Sequence, residues 1–106
     1  MKTGPQNTFR ALADSTRREI LLLLTERDMS IGDVASHFEI TRGAVKKHLA
    51  ILEEGDLISV RTAGRERINH FEPRALRDVA DWLRYFDRFW EQRLDKLQRA
   101  VEQENK

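Results

Sequence analysis

Residues Ser30 to Phe71 read SIGDVASHFEITRGAVKKHLAILEEGDLISVRTAGRERINHF, which sets two short helices and a basic hairpin in one unbroken block. Ser30 and Asp33 have capping-box spacing: the serine hydroxyl takes the N–H three residues on, and the carboxylate reaches back to the serine N–H. The pattern predicts a helix over 31–38 that buries Ile31, Val34, Ala35 and Phe38. Glu39 and Ile40 form the turn. Thr41 caps the next helix, which runs to about Glu54 before Gly55 permits a left-handed stop. Two helices joined by so short a link cross steeply.

The second helix has two faces. Val45, Leu49 and Leu52 repeat at core-facing spacing, while Arg42, Lys46 and Lys47 meet no acid until Glu53. A helix in the major groove presents only a few side chains to base edges, chiefly from its N-terminal turns, and here those are Thr41, Arg42, Gly43, Lys46 and Lys47. Arg42 suits bidentate readout of guanine, and the two lysines suit either a base or a phosphate. Gly43 leaves room for close approach to a duplex, although glycine costs about 1 kcal/mol of helix propensity relative to alanine. A lone helix with a charged outer face is ordinarily just solvated. What turns the reading toward DNA is the context, a capped helix before it and a basic hairpin after it.

The hairpin is predicted from strand-type residues over Leu57 to Thr62 and Glu66 to Phe71, around Thr62-Ala63-Gly64-Arg65. Arg61, Arg65 and Arg67 oppose only Glu66 and suit backbone phosphate or an adjacent minor groove. The fold class expected is mainly α with a small β-hairpin wing, a winged helix-turn-helix with a long C-terminal dimerisation helix.

The remaining chain fills out one domain over residues 1–106, with a winged-helix core at 6–72 and a dimerisation helix at 73–104. Residues 1 to 5 carry Gly4 and Pro5 and are expected to be loosely ordered, ahead of a short helix around Asn7 to Ala13 that contributes Phe9 and Leu12. Asp14 caps a helix from Ser15 to Thr25 whose centre, Ile20 to Leu24, is continuously apolar. Pro73 suits the first turn of a helix from Arg74 to about Gln103 with no internal Gly or Pro.

That last helix would extend about 45 Å, further than so small a domain can cover. Its stripe of Leu83, Phe86, Trp90, Leu94 and Leu97 therefore predicts a homodimer interface that sets two reading helices about 34 Å apart. The aromatic cluster Trp82, Tyr85, Phe86, Phe89 and Trp90 serves core and interface packing, or alternatively lines a pocket for a small-molecule effector that the sequence does not name.

Composition bounds the rest. Net charge is only +1, so the distribution of charge carries the nucleic-acid reading. There is no cysteine, which excludes disulfides and thiolate metal sites. His37, His48 and His70 fall in separate elements, and the acids of the last helix make no nitrogen-rich site, so no metal or other cofactor is expected. No apolar run is long enough to cross a bilayer and no cleavable signal pattern opens the chain, which gives a cytoplasmic expectation with no membrane partner. No nucleophile elbow or phosphate loop appears, and an enzyme is not expected. The alternative function is a winged-helix interaction module that docks a protein partner through its C-terminal helix.

Three segments together carry a resemblance: ALADSTRREILLLL at 11–24, SIGDVASHFEITRGAVKKHLAILEEGDLI at 30–58, and RTAGRERINHFEP at 61–73. Their joint occurrence resembles the ArsR/SmtB family of winged helix-turn-helix repressors and covers most of the chain. The resemblance implies a homodimer that sits on a palindromic operator, blocks transcription and is released by an inducing ligand. It places DNA-contacting helix residues on Arg42, Gly43, Lys46 and Lys47, and wing basics on Arg61 and Arg65. Many relatives have a proline where this chain has Ser15 and a serine where it has Lys46, a difference that bears on base preference. The metal ligands of the family's sensors, cysteines near the reading helix or His and carboxylate pairs on the last helix, are not matched, which places the chain in a non-metal-sensing subgroup.

Overall fold

Side-chain acceptors at helix starts lay out the first half of the chain. In the computed structural model, which describes residues 5–104, α1 (Gln6–Leu12) leads to Asp14, whose carboxylate accepts the Arg17 N–H at 3.0 Å and opens α2 (Ser15–Glu26). Of the expected loose start, residues 1–4 lie outside the described residues. Ser30 and Asp33 form the reciprocal capping box at 3.1 and 3.3 Å that opens α3 (Ile31–Ala35), and Thr41 accepts the Ala44 N–H at 3.1 Å to open α4 (Arg42–Glu54). α3 is shorter than predicted. The Ser36 hydroxyl donates to the Asp33 carbonyl at 2.6 Å, and the His37 and Phe38 N–H groups bond three residues back, which ends regular helix at Ala35.

The sheet has three strands rather than two. β1 (Met29–Ser30) pairs antiparallel with β3 (Glu66–Phe71), which pairs in turn with β2 (Ile58–Ala63), in the order β1-β3-β2. A two-residue strand carries no periodicity, so its only sequence trace was the apolar Met29, which is fully buried. Ala63 pairs with Glu66, so the hairpin loop is Gly64-Arg65, one residue later than predicted, and Gly64 supplies the positive φ of +64° that such a loop demands at its first position.

The core joins Ile20, Leu21 and Leu24 of α2 to Val34, Val45, Leu49 and Leu52, with Met29, Leu57 and Ile58 from the strands and their approach. Leu22, within the apolar centre of α2, is 67% exposed. Phe9 and Leu12 are half-buried, and Thr8 and Ala11 take the buried face of α1.

Helix α4 ends differently from the prediction. Gly55 has φ −83°, and the left-handed residue is Asp56, at φ 59°. The Asp56 N–H bonds the Glu53 carbonyl at 3.0 Å and the Leu57 N–H bonds the Leu52 carbonyl at 3.0 Å, while Leu52 and Leu57 are both fully buried. This is a Schellman stop with aspartate at the left-handed position. Gly55 answers a different need. A Cβ there would lie 2.9 Å from the Asn7 carbonyl oxygen and 3.2 Å from Ala11 Cβ, so its lack of a side chain lets α1 seat on α4. The Thr8 hydroxyl closes that seat by donating to the Gly55 carbonyl at 2.8 Å.

The predicted single helix over 74–103 is two, α5 (Arg74–Arg84) and α6 (Asp87–Glu104). The Tyr85 and Phe86 N–H groups bond three residues back, to Trp82 and Leu83. No Gly or Pro marks the break. Aromatic side chains hold helix weakly, and here Trp82 meets Phe86 edge-on at 5.0 Å and Phe9 at 5.4 Å. No residue of α6 is buried. The molecule measures 69 × 36 × 20 Å with a radius of gyration of 19.2 Å. A compact chain of this length has about 13 Å, so α6 projects from the domain as an arm.

Two substitutions separate the roles at 55 and 56. Gly55→Ala is expected to destabilise by about 1 to 3 kcal/mol through overpacking against α1, and Asp56→Gly to stabilise by up to about 1 kcal/mol by relieving the left-handed aspartate. Urea unfolding midpoints distinguish this order from its reverse.

Candidate nucleic-acid interface

The rotation of α4 about its axis decides what it shows. Val45 and Leu52 are fully buried and Leu49 nearly so, which fixes one face inward. Each residue advances about 100°, so Gly43 and Lys47 point directly away from that core and Lys46 turns toward the wing. Thr41, Arg42, Gly43, Lys46 and Lys47 are all exposed. The Thr41 hydroxyl already accepts the Ala44 N–H as the cap, so its first role is structural.

Between α4 and the wing lies an open cleft of about 420 Å³ whose lining includes Arg42, Lys46, Arg65 and Arg67, with Glu66 the one acid. Arg42 lies back over Gly32 at the start of α3, where a Cβ would collide with its guanidinium. Gly32 thus gives Arg42 a resting place, which sequence reasoning missed because the partners are ten residues apart on different helices. A smaller adjoining cleft of about 160 Å³ also has Lys46 and Arg67 in its wall. Behind it Asn69, 2% exposed, donates to the Met29 carbonyl at 3.1 Å and anchors β3 to β1.

Arg61 is not brought to this cleft. It pairs with Ile68 while Arg67 pairs with Thr62, and successive strand residues face opposite ways. Arg61 lies on the far face, 3.4 Å from Asp28, whose other oxygen is 2.6 Å from His70 Nδ1. The Asp28 clasp had no sequence signal, because a loop aspartate acquires meaning only once the strand register is known. Among the described residues, Arg42, Lys46, Lys47, Arg65 and Arg67 pair with no carboxylate. The arrangement is a row of free cations on a helix and an adjoining wing, able to take phosphates along a duplex and to aim a guanidinium at a base edge.

Beneath α4 lies a second network that the sequence did not announce. Arg17 donates through Nε to the Ala11 carbonyl at 2.8 Å and through Nη2 to the Arg10 carbonyl at 3.0 Å, and its Nη1 stands 3.4 Å from His48 Nδ1. Arg18 adds a bond to the Leu12 carbonyl at 2.7 Å, so two arginines of α2 satisfy the last carbonyls of α1. The Arg17 N–H holds the Asp14 carboxyl below its ordinary value, helped by the nearby charges of Arg17 and His48. His37, His48 and His70 remain apart, and among the described residues no group of three or more His, Cys, Asp or Glu is gathered as a metal site. No described helix is long and apolar enough to cross a membrane.

Comparison with known proteins bears on this geometry. The profile of the family described as bacterial regulatory protein, arsR family, matches residues 14–60, from the Asp14 cap into β2. The transcriptional repressor SdpR of Bacillus subtilis (strain 168) is 38% identical over 80 residues, spanning 76% of this chain and 89% of that protein. The HTH-type transcriptional regulator Rv2034 of Mycobacterium tuberculosis is 32% identical over 101 residues, spanning 95% of this chain and 92% of that one. Among solved structures, an ArsR-like transcriptional regulator from Rhodococcus sp. RHA1 superposes with a TM-score of 0.71 at 30% identity, covering 91% of each chain.

Gly43 provides a discriminating test, because a Cβ there would meet only Thr41 Oγ1 at 3.8 Å and the fold does not require glycine. Gly43→Ala is expected to raise stability by about 0.5 to 1 kcal/mol while weakening duplex binding; unchanged binding removes the close-approach role. For Asp14, a depressed folded pKa means that its charge stabilises the fold above the unfolded-state value near 3.8 and that this stability is lost as the pH falls through the folded value. Wild type should therefore exceed Asp14→Asn in thermal midpoint at neutral pH, with the gap closing on acidification below 3.8.

Proposed function

The chain belongs to the ArsR family of bacterial regulatory proteins and is a DNA-binding transcriptional regulator, and on that premise we propose that it is a cytoplasmic homodimeric repressor that occupies a near-palindromic operator. The observation that carries this reading is the pairing of the cationic α4–wing cleft with an arm that leaves its apolar stripe in solvent. Leu83, Phe86, Trp90, Leu94 and Leu97 are between 39% and 63% exposed. A soluble chain covers so large a stripe by association. In a two-fold dimer the two α4 helices enter successive major grooves, about 34 Å apart.

Within each half-site, Arg42 swings from Gly32 to read a guanine, Lys46 and Lys47 hold phosphate, and Arg65 and Arg67 grip the backbone beside the wing. Arg61, held by Asp28, is outside this set. Residues 6–72 act as the reading unit and 73–104 as the assembly unit. Repression follows from occlusion of the promoter, and no metal is assigned to the signal that relieves it.

The test is selection of bound duplexes from random sequence, followed by titration at several salt concentrations. Paired Lys46→Glu and Lys47→Glu changes are expected to cost on the order of 100-fold in affinity and to lower the salt slope by about 2. Arg42→Ala is expected to relax preference at one base pair per half-site, by about 1 to 3 kcal/mol. Wild-type base preferences in Arg42→Ala reject the readout assignment. A monomer in sedimentation at micromolar concentration rejects the dimer.

A further inference from the structure

Gly32 is the second residue of α3, and its backbone does not call for glycine: among the described glycines the positive φ falls at Gly64. Glycine inside a helix weakens it relative to alanine, so the space around Gly32 has to supply the reason. That space is filled by Arg42. A Cβ on Gly32 would collide with Nη2 of the guanidinium and lie 3.4 Å from its Cζ, whereas Ser30 Oγ stands off at 3.8 Å. Arg42 opens α4, and side chains there tilt back toward the helix N-terminus, which carries this one across the turn onto α3.

The guanidinium rests there without an ion pair. Asp33, the acid of α3, accepts the Ser30 N–H at 3.3 Å, and among the described residues Arg42 pairs with no carboxylate. An arginine held in a salt bridge must break a charge-assisted bond before it reaches a base. One packed on a bare Cα gives up only van der Waals contact. We propose that Gly32 is a specificity-determining position: without contacting a base itself, it fixes the place from which Arg42 reaches a base edge. The inference rests on the readout assigned to Arg42 above and names the residue that aims it.

The geometry separates this role from a structural one. At Gly55 a Cβ would meet backbone, the Asn7 carbonyl oxygen at 2.9 Å, and the helices would have to part. At Gly32 it would meet the far end of a flexible side chain, so an added methyl moves the arginine and leaves α3 and α4 in place. The room open to the displaced guanidinium is the cleft of about 420 Å³ that it already lines, toward Lys46, Arg65 and Arg67. There it joins the cations that take phosphate, and its charge is kept while its aim is lost. The competing role for Gly32 is a bare surface for close approach of the duplex, which does not depend on Arg42.

Full-length Gly32→Ala, Arg42→Ala and the double variant are compared with wild type by selection of bound duplexes from random sequence. Affinities for the selected site and for a mixed-sequence duplex are then measured at several salt concentrations. Gly32→Ala is expected to lose about fivefold or more of the discrimination at the same base pair per half-site that Arg42→Ala relaxes. Its affinity for the mixed-sequence duplex and its salt slope should be no smaller than those of wild type, and its urea midpoint no lower. In the Arg42→Ala background the Gly32 change should add nothing. Wild-type preferences in Gly32→Ala beside relaxed ones in Arg42→Ala overturn the aiming role and leave Arg42 readout standing. A loss that persists in the double variant assigns Gly32 to close approach, and a lowered urea midpoint to the fold; either also overturns the proposal. Wild-type preferences in Arg42→Ala remove both readings.

Discussion

Burial of Val45, Leu49 and Leu52 is the constraint on which the reading surface depends. A helix can turn about its axis, and only a locked apolar face decides which residues meet a ligand. Here that face is gripped from two sides. α2 supplies Ile20 and Leu24, and α1 closes on the far end through Gly55, where the absence of a side chain permits backbone contact. Arg17 adds polar ties from α2 to the carbonyls of α1 and toward His48 on α4. The orientation of Gly43, Lys46 and Lys47 is thus a consequence of the core, and a fault at Gly55 would be felt at the opposite end of the helix.

Electrostatics follow the same division. A net charge of +1 gives little attraction as a whole, yet screening limits each charge to about 8 to 10 Å at ordinary salt, so local arrangement governs. Several of the fold's acids are occupied. Asp14 and Asp33 cap helices, Glu54 faces Arg10 at 3.5 Å, and Asp28 holds Arg61 and His70. Among the described residues Arg42, Lys46, Lys47, Arg65 and Arg67 have no such partner, which leaves their charge for an external anion. Exposed cations of this kind cost the fold little, so their placement reflects the ligand more than stability.

Local signals were legible in the sequence and non-local ones were not. Asp14, Ser30 with Asp33, and Thr41 each cap a helix within three residues, so their meaning survives without tertiary structure. The basic face of α4 was equally plain from spacing. Gly55 was read as the left-handed stop, because glycine after a helix ordinarily means one, whereas here approach by α1 claims the glycine and Asp56 takes the strained φ. Arg61 was grouped with Arg65 and Arg67 because composition does not reveal facing; the register of β2 on β3 sends it to the other side. The break at Tyr85–Phe86 had no Gly or Pro to announce it.

That break has a thermodynamic consequence. α5 keeps Ala75 buried and Leu76 packed on the core, but beyond the corner, among the described residues, α6 has only its own bonds, such as Gln98 to Glu102 at 3.3 Å and Arg93 over the Phe89 ring at 4.8 Å. Pairs of this kind contribute about 0.2 to 0.5 kcal/mol each, and a single helix in water draws most of its stability from packing an apolar face. On the dimer reading, order in the arm and association of the protomers are therefore one equilibrium, and stability rises with protein concentration. The spacing of the two reading helices is then set by the least independently stable element of the chain. An effector needs only to bind the two arm states unequally to move DNA affinity without touching α4.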